Sequence, residues 1–188
     1  HADVRFVAAQ DQELVDKVLS VFDRVPHLHK VFYDEPRGLD DYDQSRLIAI
    51  HDVIEDGRAA LAASATLGGQ IDEIIRQGEG SDISIILYTS GTTGASKGVM
   101  LSARGCIDAA TDTVRFDRLT DNDVALAYLP LAWVGDHYLN YAQGLAAGFC
   151  MACAESGATV EQDLREIGPT FYFAPPRVFE NMLTRVMI

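Results

Sequence analysis

Residues 88–98, with the sequence YTSGTTGASKG, bring together the groups that proteins use to hold an anion. Glycine lets the backbone take positive φ angles and approach a ligand closely, because it has no Cβ. Backbone N–H groups in such turns form anion-binding concavities, and hydroxyl and ammonium groups add further donors. The loop contains no acidic residue. We therefore predict a polyphosphate site whose ligands are Thr89, Ser90, Gly91, Thr92, Thr93, Gly94 and Lys97.

Two other phosphate-binding motifs and a plain linker are the alternatives for this loop. A Walker A loop requires G-x-x-x-x-G-K-[ST], but Ser96 stands at the second glycine position and Gly98 at the hydroxyl position. A dinucleotide-binding G-x-G-x-x-G motif fails because Gly91 and Gly94 are three residues apart. A flexible linker seldom follows directly on an apolar, strand-like run and has no need of a lysine between small residues.

The loop resembles the phosphate-binding signature of the adenylate-forming superfamily. This superfamily includes acyl-CoA synthetases, luciferases and the adenylation domains of peptide synthetases. The usual signature has proline just before the lysine, where this chain has Ser96. The exchange loosens the backbone but removes no phosphate ligand, so the resemblance still implies binding of ATP.

A second segment, residues 125–138 with the sequence ALAYLPLAWVGDHY, resembles the next signature of that superfamily. The long-chain fatty acyl branch often has His where Trp133 stands and Glu-Arg where Asp136 and His137 stand. The flanking segments RFVAAQDQELVDKV and PTFYFAPPRVFENML also resemble that branch. The resemblance covers almost the whole chain and points to long-chain acyl-CoA synthetases more than to peptide-synthetase domains.

The resemblance implies a reaction in two steps. A fatty-acid carboxylate attacks the α-phosphorus of ATP and pyrophosphate leaves, and coenzyme A then captures the acyl adenylate. By resemblance, Lys97 is the catalytic residue of the first step, and Thr89 also helps to hold Mg²⁺. Residues 90–94 would contact the β- and γ-phosphates, which become the leaving pyrophosphate.

The second signature contains three residues whose roles need weighing. For Trp133 two interpretations stay open, a wall or gate of the acyl tunnel and an ordinary core tryptophan. Asp136 and His137 are adjacent and could suggest acid-base chemistry. Because adenylate formation has no obvious need for a general base, we assign them a structural or pocket-rim role.

The composition indicates a soluble protein that does not bind nucleic acid. The 28 acidic and 15 basic residues give a formal charge of −13, which removes the long-range attraction that nucleic-acid binders use. The longest near-continuous apolar stretch, residues 141–154, is shorter than the roughly 20 residues that span a bilayer, and no charged-then-apolar leader precedes it. The three cysteines and the lack of N-x-S/T acceptors favour the cytoplasm.

Two further pairs of residues could mimic metal sites. Cys150 and Cys153 form C-x-x-C within an apolar run, and without a second pair we predict a buried, reduced pair rather than a zinc or redox site. His27 and His29 share a strand face, and without a third ligand in sequence reach we predict a solvated edge.

Strand-like and helix-like segments alternate, which predicts an α/β fold with a largely parallel sheet covered by helices on both faces. Strands are predicted at residues 4–9, 31–33, 83–87 (buried), 124–129, 149–154 and 170–173. Helices are predicted at residues 10–23, 51–77 with a break near Gly68 and Gly69, 103–116 after an N-cap at Ser102, 133–147, 160–167 and from 177 onward. Residues 34–43 read as an exposed loop, and the length predicts one globular unit.

The later signatures of the superfamily do not occur in these 188 residues. They are a YG-x-TE segment, a TGD segment and a small C-terminal domain with its own lysine. We therefore interpret residues 1–188 as a partial adenylation domain with weak or no ligase activity by itself; the alternative is a stand-alone phosphate-binding or interaction module. The implied partners are ATP, a fatty acid and coenzyme A. The resemblance is compatible with peripheral membrane contact of the parent protein and fixes neither acyl chain length nor oligomeric state.

Overall fold

The computed structural model describes residues 3–90, 94 and 96–187. Contacts within the chain divide it into two compact units, His1–Gly78 and Glu79–Ile188, whereas length and composition predict one globular unit. The physical reason is the strand pairing. In the described part of the chain, each named strand hydrogen-bonds only to strands of its own unit.

The first unit is built on a parallel sheet of three strands among its described residues. Strands β1 (Phe6–Ala9), β2 (Lys30–Tyr33) and β3 (Leu47–Ala49) pair in sequence order. Helix α1 (Gln12–Leu19) follows β1, and a short 3₁₀ turn (Phe22–Arg24) follows it. The Asp11 carboxylate caps α1 by accepting a hydrogen bond from the Leu14 N–H at 3.1 Å, as Asp commonly does at helix N-termini.

The core of the first unit lies between this sheet and α1. It consists of five buried residues, Ala9, Val15, Val31, Leu39 and Leu47. Leu39 comes from the 34–43 loop, and the prediction that this loop is exposed is wrong at that residue because its side chain is only 2% accessible. The loop therefore contributes to the core rather than only connecting β2 to β3.

Two helices complete the first unit, α2 (Ile50–Ala63) and α3 (Leu67–Arg76). The predicted break near Gly68 and Gly69 is wrong in position, because both glycines lie inside α3. The helices separate at residues 64–66, where the Ser64 hydroxyl accepts a hydrogen bond from the Leu67 N–H at 3.2 Å. A serine hydroxyl that binds the first N–H of the next helix marks the boundary better than a glycine that helices tolerate.

The second unit begins with an antiparallel hairpin of strands β4 (Ile83–Thr89) and β5 (Lys97–Ser102). The prediction of a buried strand at residues 83–87 is wrong in this chain: its burial pattern is mostly exposed, and Ile83 is 51% accessible. The Ser102 hydroxyl accepts a hydrogen bond from the Gly105 N–H at 3.2 Å and caps helix α4 (Ala103–Asp117), as predicted.

A parallel pair of strands forms the rest of the sheet structure described in the second unit. Strands β6 (Val124–Ala127) and β7 (Cys150–Cys153) pair in register, and Phe171 adds a parallel bridge to Ala125. A continuous helical stretch joins β6 to β7, made of α5 (Val134–Asp136), a π-helix (His137–Ala142) and α6 (Gln143–Ala147). Helices α7 (Val160–Ile167) and α8 (Pro176–Val186) follow.

Parallel strands and helices thus confirm the predicted α/β class. None of the described helices is both long enough and apolar enough to cross a membrane. The prediction of a buried cysteine pair is wrong, because Cys150 and Cys153 are both exposed and free. Strand β7 carries an exposed residue at three of its four positions.

The turn before β6 is held by the carboxylate of Asp123. It accepts hydrogen bonds from the Thr120 N–H at 2.7 Å and from the Thr170 hydroxyl at 2.8 Å. These bonds stabilise the charged form and hold the pKa of Asp123 below its ordinary value. The Thr170 contact also ties residue 170 to the start of the β6 strand.

Because the folded-state pKa of Asp123 is depressed, its contribution to stability is present above the ordinary carboxylate pKa of about 4 and is lost as the pH falls through the folded-state value. We expect Asp123→Asn to lower the melting temperature most at neutral pH, and the difference from the unchanged chain to shrink below about pH 4. Thermal unfolding between pH 3 and 7 measures this. Asp108→Asn, at an exposed position of α4, is the matched control, and a difference independent of pH would contradict the assignment.

Candidate phosphate-binding loop and its neighbours

The β4–β5 hairpin brings the two ends of the predicted phosphate loop together. Thr89, the last residue of β4, pairs directly with Lys97, the first residue of β5. Both side chains are exposed, and so is that of Ser90. Two hydroxyl groups and an ammonium group are therefore presented at the loop end of one hairpin.

The described part of the loop includes Gly94, whereas Gly91, Thr92 and Thr93 lie outside the described residues. Gly94 has a φ of +85°, and a Cβ built on it would meet no atom within 4 Å. The reason for glycine there is the backbone angle, which side chains disfavour.

Glycine is required at residue 98 for a different reason from the one expected. It is not among the described glycines with positive φ, so the expected use of glycine for φ > 0 does not apply to it. A Cβ at Gly98 would come within 2.9 Å of Ile86 Cγ2 and 3.4 Å of the Tyr88 ring. Gly98 therefore makes room for side chains of the opposite strand.

The second signature segment meets β4 at a cavity of about 440 Å³. Its walls are Ile85, Ile86, Leu87, Tyr88, Leu131, Ala132 and His137. Strand β4 leads into the phosphate loop, and residues 131–137 belong to the second signature. The fold thus brings two segments that are distant in sequence to a single, mostly apolar cavity.

Trp133 lies at the start of α5 and is half-exposed, with 42% of its surface accessible. Its indole packs against the Phe173 ring with the ring centroids 5.9 Å apart and the planes tilted by 31°. The residue is neither enclosed nor fully exposed, so the wall of a binding site and a packing role both stay open. Its role with an acyl chain stays a prediction.

The helical stretch after Trp133 carries a cluster of buried polar residues, Asp136, His137, Asn140 and Gln143. The Asn140 side-chain amide donates a hydrogen bond to Asp136 Oδ1 at 2.6 Å. Within the described residues, His137 Nδ1 and both polar atoms of the Gln143 side chain have no hydrogen-bond partner. The sequence prediction of a structural or rim role covers Asp136 and His137 but missed Asn140 and Gln143, whose signal was polar residues repeating at helical spacing in an apolar stretch.

The structure gives no sign of a protein-only metal cluster in the part of the chain that it describes. Groups of three or more His, Cys, Asp or Glu side chains placed to hold a metal ion do not occur among those residues. His27 and His29 are exposed, as expected, but the prediction that they share a strand face is wrong, because both precede β2, which begins at Lys30. A metal at the phosphate loop would therefore need oxygen atoms from a bound phosphate as well as hydroxyl groups.

Comparison with protein families identifies the fold to which these segments belong. The family model described as "AMP-binding enzyme" matches residues 1–187. The chain belongs to the AMP-binding enzyme family. Within this family it is 30% identical over 192 residues to the long-chain-fatty-acid–CoA ligase ACSBG2 of Xenopus laevis, covering 97% of this chain and 24% of that protein. It is also 36% identical over 129 residues to long chain acyl-CoA synthetase 4 of Arabidopsis thaliana, covering 59% of this chain and 19% of that one.

A solved structure shares the fold of this chain. Apo MatB from Rhodopseudomonas palustris superposes with a TM-score of 0.67 at 22% identity, over 97% of this chain and 32% of MatB. At this identity the likeness shows the fold alone. The chain spans 24% and 19% of the two curated relatives, so the activity of a whole protein is a matter for proposal.

Proposed function

We propose that this chain is the part of an AMP-forming long-chain acyl-CoA synthetase that holds the phosphates of ATP. The full reaction joins a fatty acid to coenzyme A through an acyl adenylate, with release of pyrophosphate and AMP. The observation that carries the proposal is the β4–β5 hairpin, which ends in Thr89 and Lys97 as a cross-strand pair. The names of the curated relatives, long-chain-fatty-acid–CoA ligases, support the acyl class.

The donors at the hairpin fit a polyphosphate. Lys97, Thr89 and Ser90 are exposed at the loop ends, and Gly94 supplies a backbone that turns with positive φ. Gly91, Thr92 and Thr93 complete the proposed phosphate ligands on sequence grounds. Because adenylyl transfer depends on positioning and charge neutralisation rather than on a protein nucleophile, such a donor set fits the role.

Magnesium is proposed at the same loop. Thr89 Oγ1 is the candidate protein ligand, together with phosphate oxygens of the bound nucleotide, which is the ligand set that Mg²⁺ prefers. The bound ion would neutralise phosphate charge. Lys97 would then hold a phosphate oxygen of the leaving pyrophosphate and orient it in line with the attack at the α-phosphorus.

The other partners are proposed from the same assignment. A fatty acid would lie beside Trp133, which is 42% accessible, and coenzyme A would react with the adenylate. The net charge of −13 argues against nucleic acid. We propose a cytoplasmic location from the sparse cysteines.

A thermal-shift experiment on the purified chain tests the phosphate site. We expect ATP with Mg²⁺ to raise the melting temperature, since a ligand at 100 times its Kd stabilises by about 2.7 kcal/mol. Tripolyphosphate should act similarly because the loop is proposed to hold the β- and γ-phosphates, and AMP should not. The test variant Lys97→Ala should abolish the shift. The control variant Lys17→Ala, on α1, should retain it. An equal shift in Lys97→Ala would overturn the site.

A further inference from the structure

The backbone conformation at Gly135 does not require a glycine. It is the middle residue of α5 and is not among the described glycines with positive φ. Glycine is less favourable than alanine inside a helix because it loses more backbone entropy on folding. Some contact in the folded protein must therefore account for it.

Two aromatic rings supply that contact. A Cβ built on Gly135 would lie 2.9 Å from Trp133 Cζ3 and 3.0 Å from Phe173 Cε1, closer than carbon atoms approach without a shift. The two rings also pack against each other, with centroids 5.9 Å apart. The Trp133 and Phe173 rings thus pack directly against the Gly135 backbone.

We propose that Gly135 is a positioning residue that holds the Trp133 indole against Phe173 and so sets the width of the acyl site. This inference rests on the proposed function, because it takes Trp133 as a wall of that site. The indole keeps 42% of its surface accessible. A methyl group at residue 135 would displace this surface, and a long acyl chain, which would extend further along it, should be affected more than a short one.

The geometric half of the proposal has its own readout, because Trp133 is the only tryptophan in the chain. We expect Gly135→Ala to change the emission maximum and the acrylamide quenching of Trp133, since a ring must move away from the new methyl group. The matched control is Gly57→Ala in α2, where a Cβ would meet nothing within 4 Å. It adds the same methyl group to a helix and should leave Trp133 emission unchanged.

A double variant shows whether the Phe173 ring takes part in positioning the Trp133 indole. If the methyl group acts by pushing the rings, Phe173→Ala removes one of its two contacts. The spectral change caused by Gly135→Ala should then be smaller in the Phe173→Ala background than in the unchanged chain, because residues in contact show non-additive effects. Equal spectral changes in the two backgrounds would show that Phe173 does not help to position the Trp133 indole.

The functional half is tested by acyl chain selectivity in the full-length protein that contains this chain. We expect Gly135→Ala to lower the ratio of kcat/KM for a C16 acid to that for a C8 acid about tenfold, because small volume changes in an apolar pocket shift selectivity by factors of this order. Gly57→Ala should keep the ratio. An unchanged ratio together with a spectral change would overturn the acyl-site role and keep the positioning role.

The possible failures are distinguishable. If the unchanged protein forms no acyl adenylate from any acid, the proposed function fails, whereas the fluorescence result on Trp133 still decides whether Gly135 positions the ring. If Gly135→Ala leaves both Trp133 emission and acyl selectivity unchanged, the inference is overturned while the phosphate-loop assignment remains.

Discussion

Lys97→Ala should lower the rate of adenylate formation about 10- to 150-fold in the full-length protein that contains this chain. The expected loss corresponds to one charge-assisted contact of about 1.5–3 kcal/mol, with a tenfold change in rate for each 1.36 kcal/mol. The hairpin register places Lys97 directly opposite Thr89, so its ammonium group reaches the same end of the loop as the hydroxyl donors. Removing it leaves the phosphates with less neutralising charge.

The two half-reactions of the proposed synthetase separate this role from a general loss of structure. Pyrophosphate release reports the adenylation step, and thioester formation from supplied acyl adenylate and coenzyme A reports the second step. We expect Lys97→Ala to impair the first and spare the second, because the pyrophosphate has already left. Lys17→Ala, an exposed lysine paired with Glu13 at 2.6 Å, is the control. Equal losses in both half-reactions would refute the division of labour.

Leu39→Ala should destabilise the first unit by about 2–5 kcal/mol, the usual cost of truncating a buried leucine. Leu39 is 2% accessible and belongs to the core with Val15 and Val31. Alanine at this position would leave a cavity beside the sheet, because the surrounding backbone can collapse only in part. Few single changes in this chain should cost more, since native domains are stable by only about 5–15 kcal/mol in total.

Urea unfolding measures the loss, and hydrogen exchange of the β2 amides locates it in the first unit. Leu61→Ala is the matched control, since that leucine lies on α2 with 47% of its surface accessible and its truncation removes little buried area. If the two variants lost equal stability, Leu39 would have no special place in the core.

Local patterns predicted many of the helices well. Helix α7 covers the predicted residues 160–167, and α4 begins after the predicted N-cap Ser102. These features depend on residues within one or two turns of each other, so a short window of sequence contains the physics that produces them. The boundary between α2 and α3 lies at the polar segment that begins with Ser64. The prediction placed it at Gly68 and Gly69 and was wrong, because both glycines lie inside α3.

Pairings between distant residues were not predictable in the same way. The three residues of β3 form a strand by pairing with β2, and three residues are too few to show a strand pattern. The antiparallel pairing of β4 with β5 was not predicted either, because the residue types of the connecting loop do not fix which strand follows. Burial depends on the same distant neighbours. Leu39 is enclosed by α1 and the sheet, and Cys150 is exposed, although their local sequences suggested the reverse.

The candidate site shows the same division. The residue types of the loop at 88–98 and of the segment at 125–138 indicated phosphate binding and the family, and the family match confirms the membership. The sequence could not show that Thr89 faces Lys97, that β4 and His137 share a cavity, or that Gly135 supports two aromatic rings. Composition and spacing are properties of the chain, whereas these contacts depend on which distant segments meet after folding. The sequence alone therefore determined the family and the fold class and predicted the kind of ligand, and only the tertiary structure decided which side chains lie together.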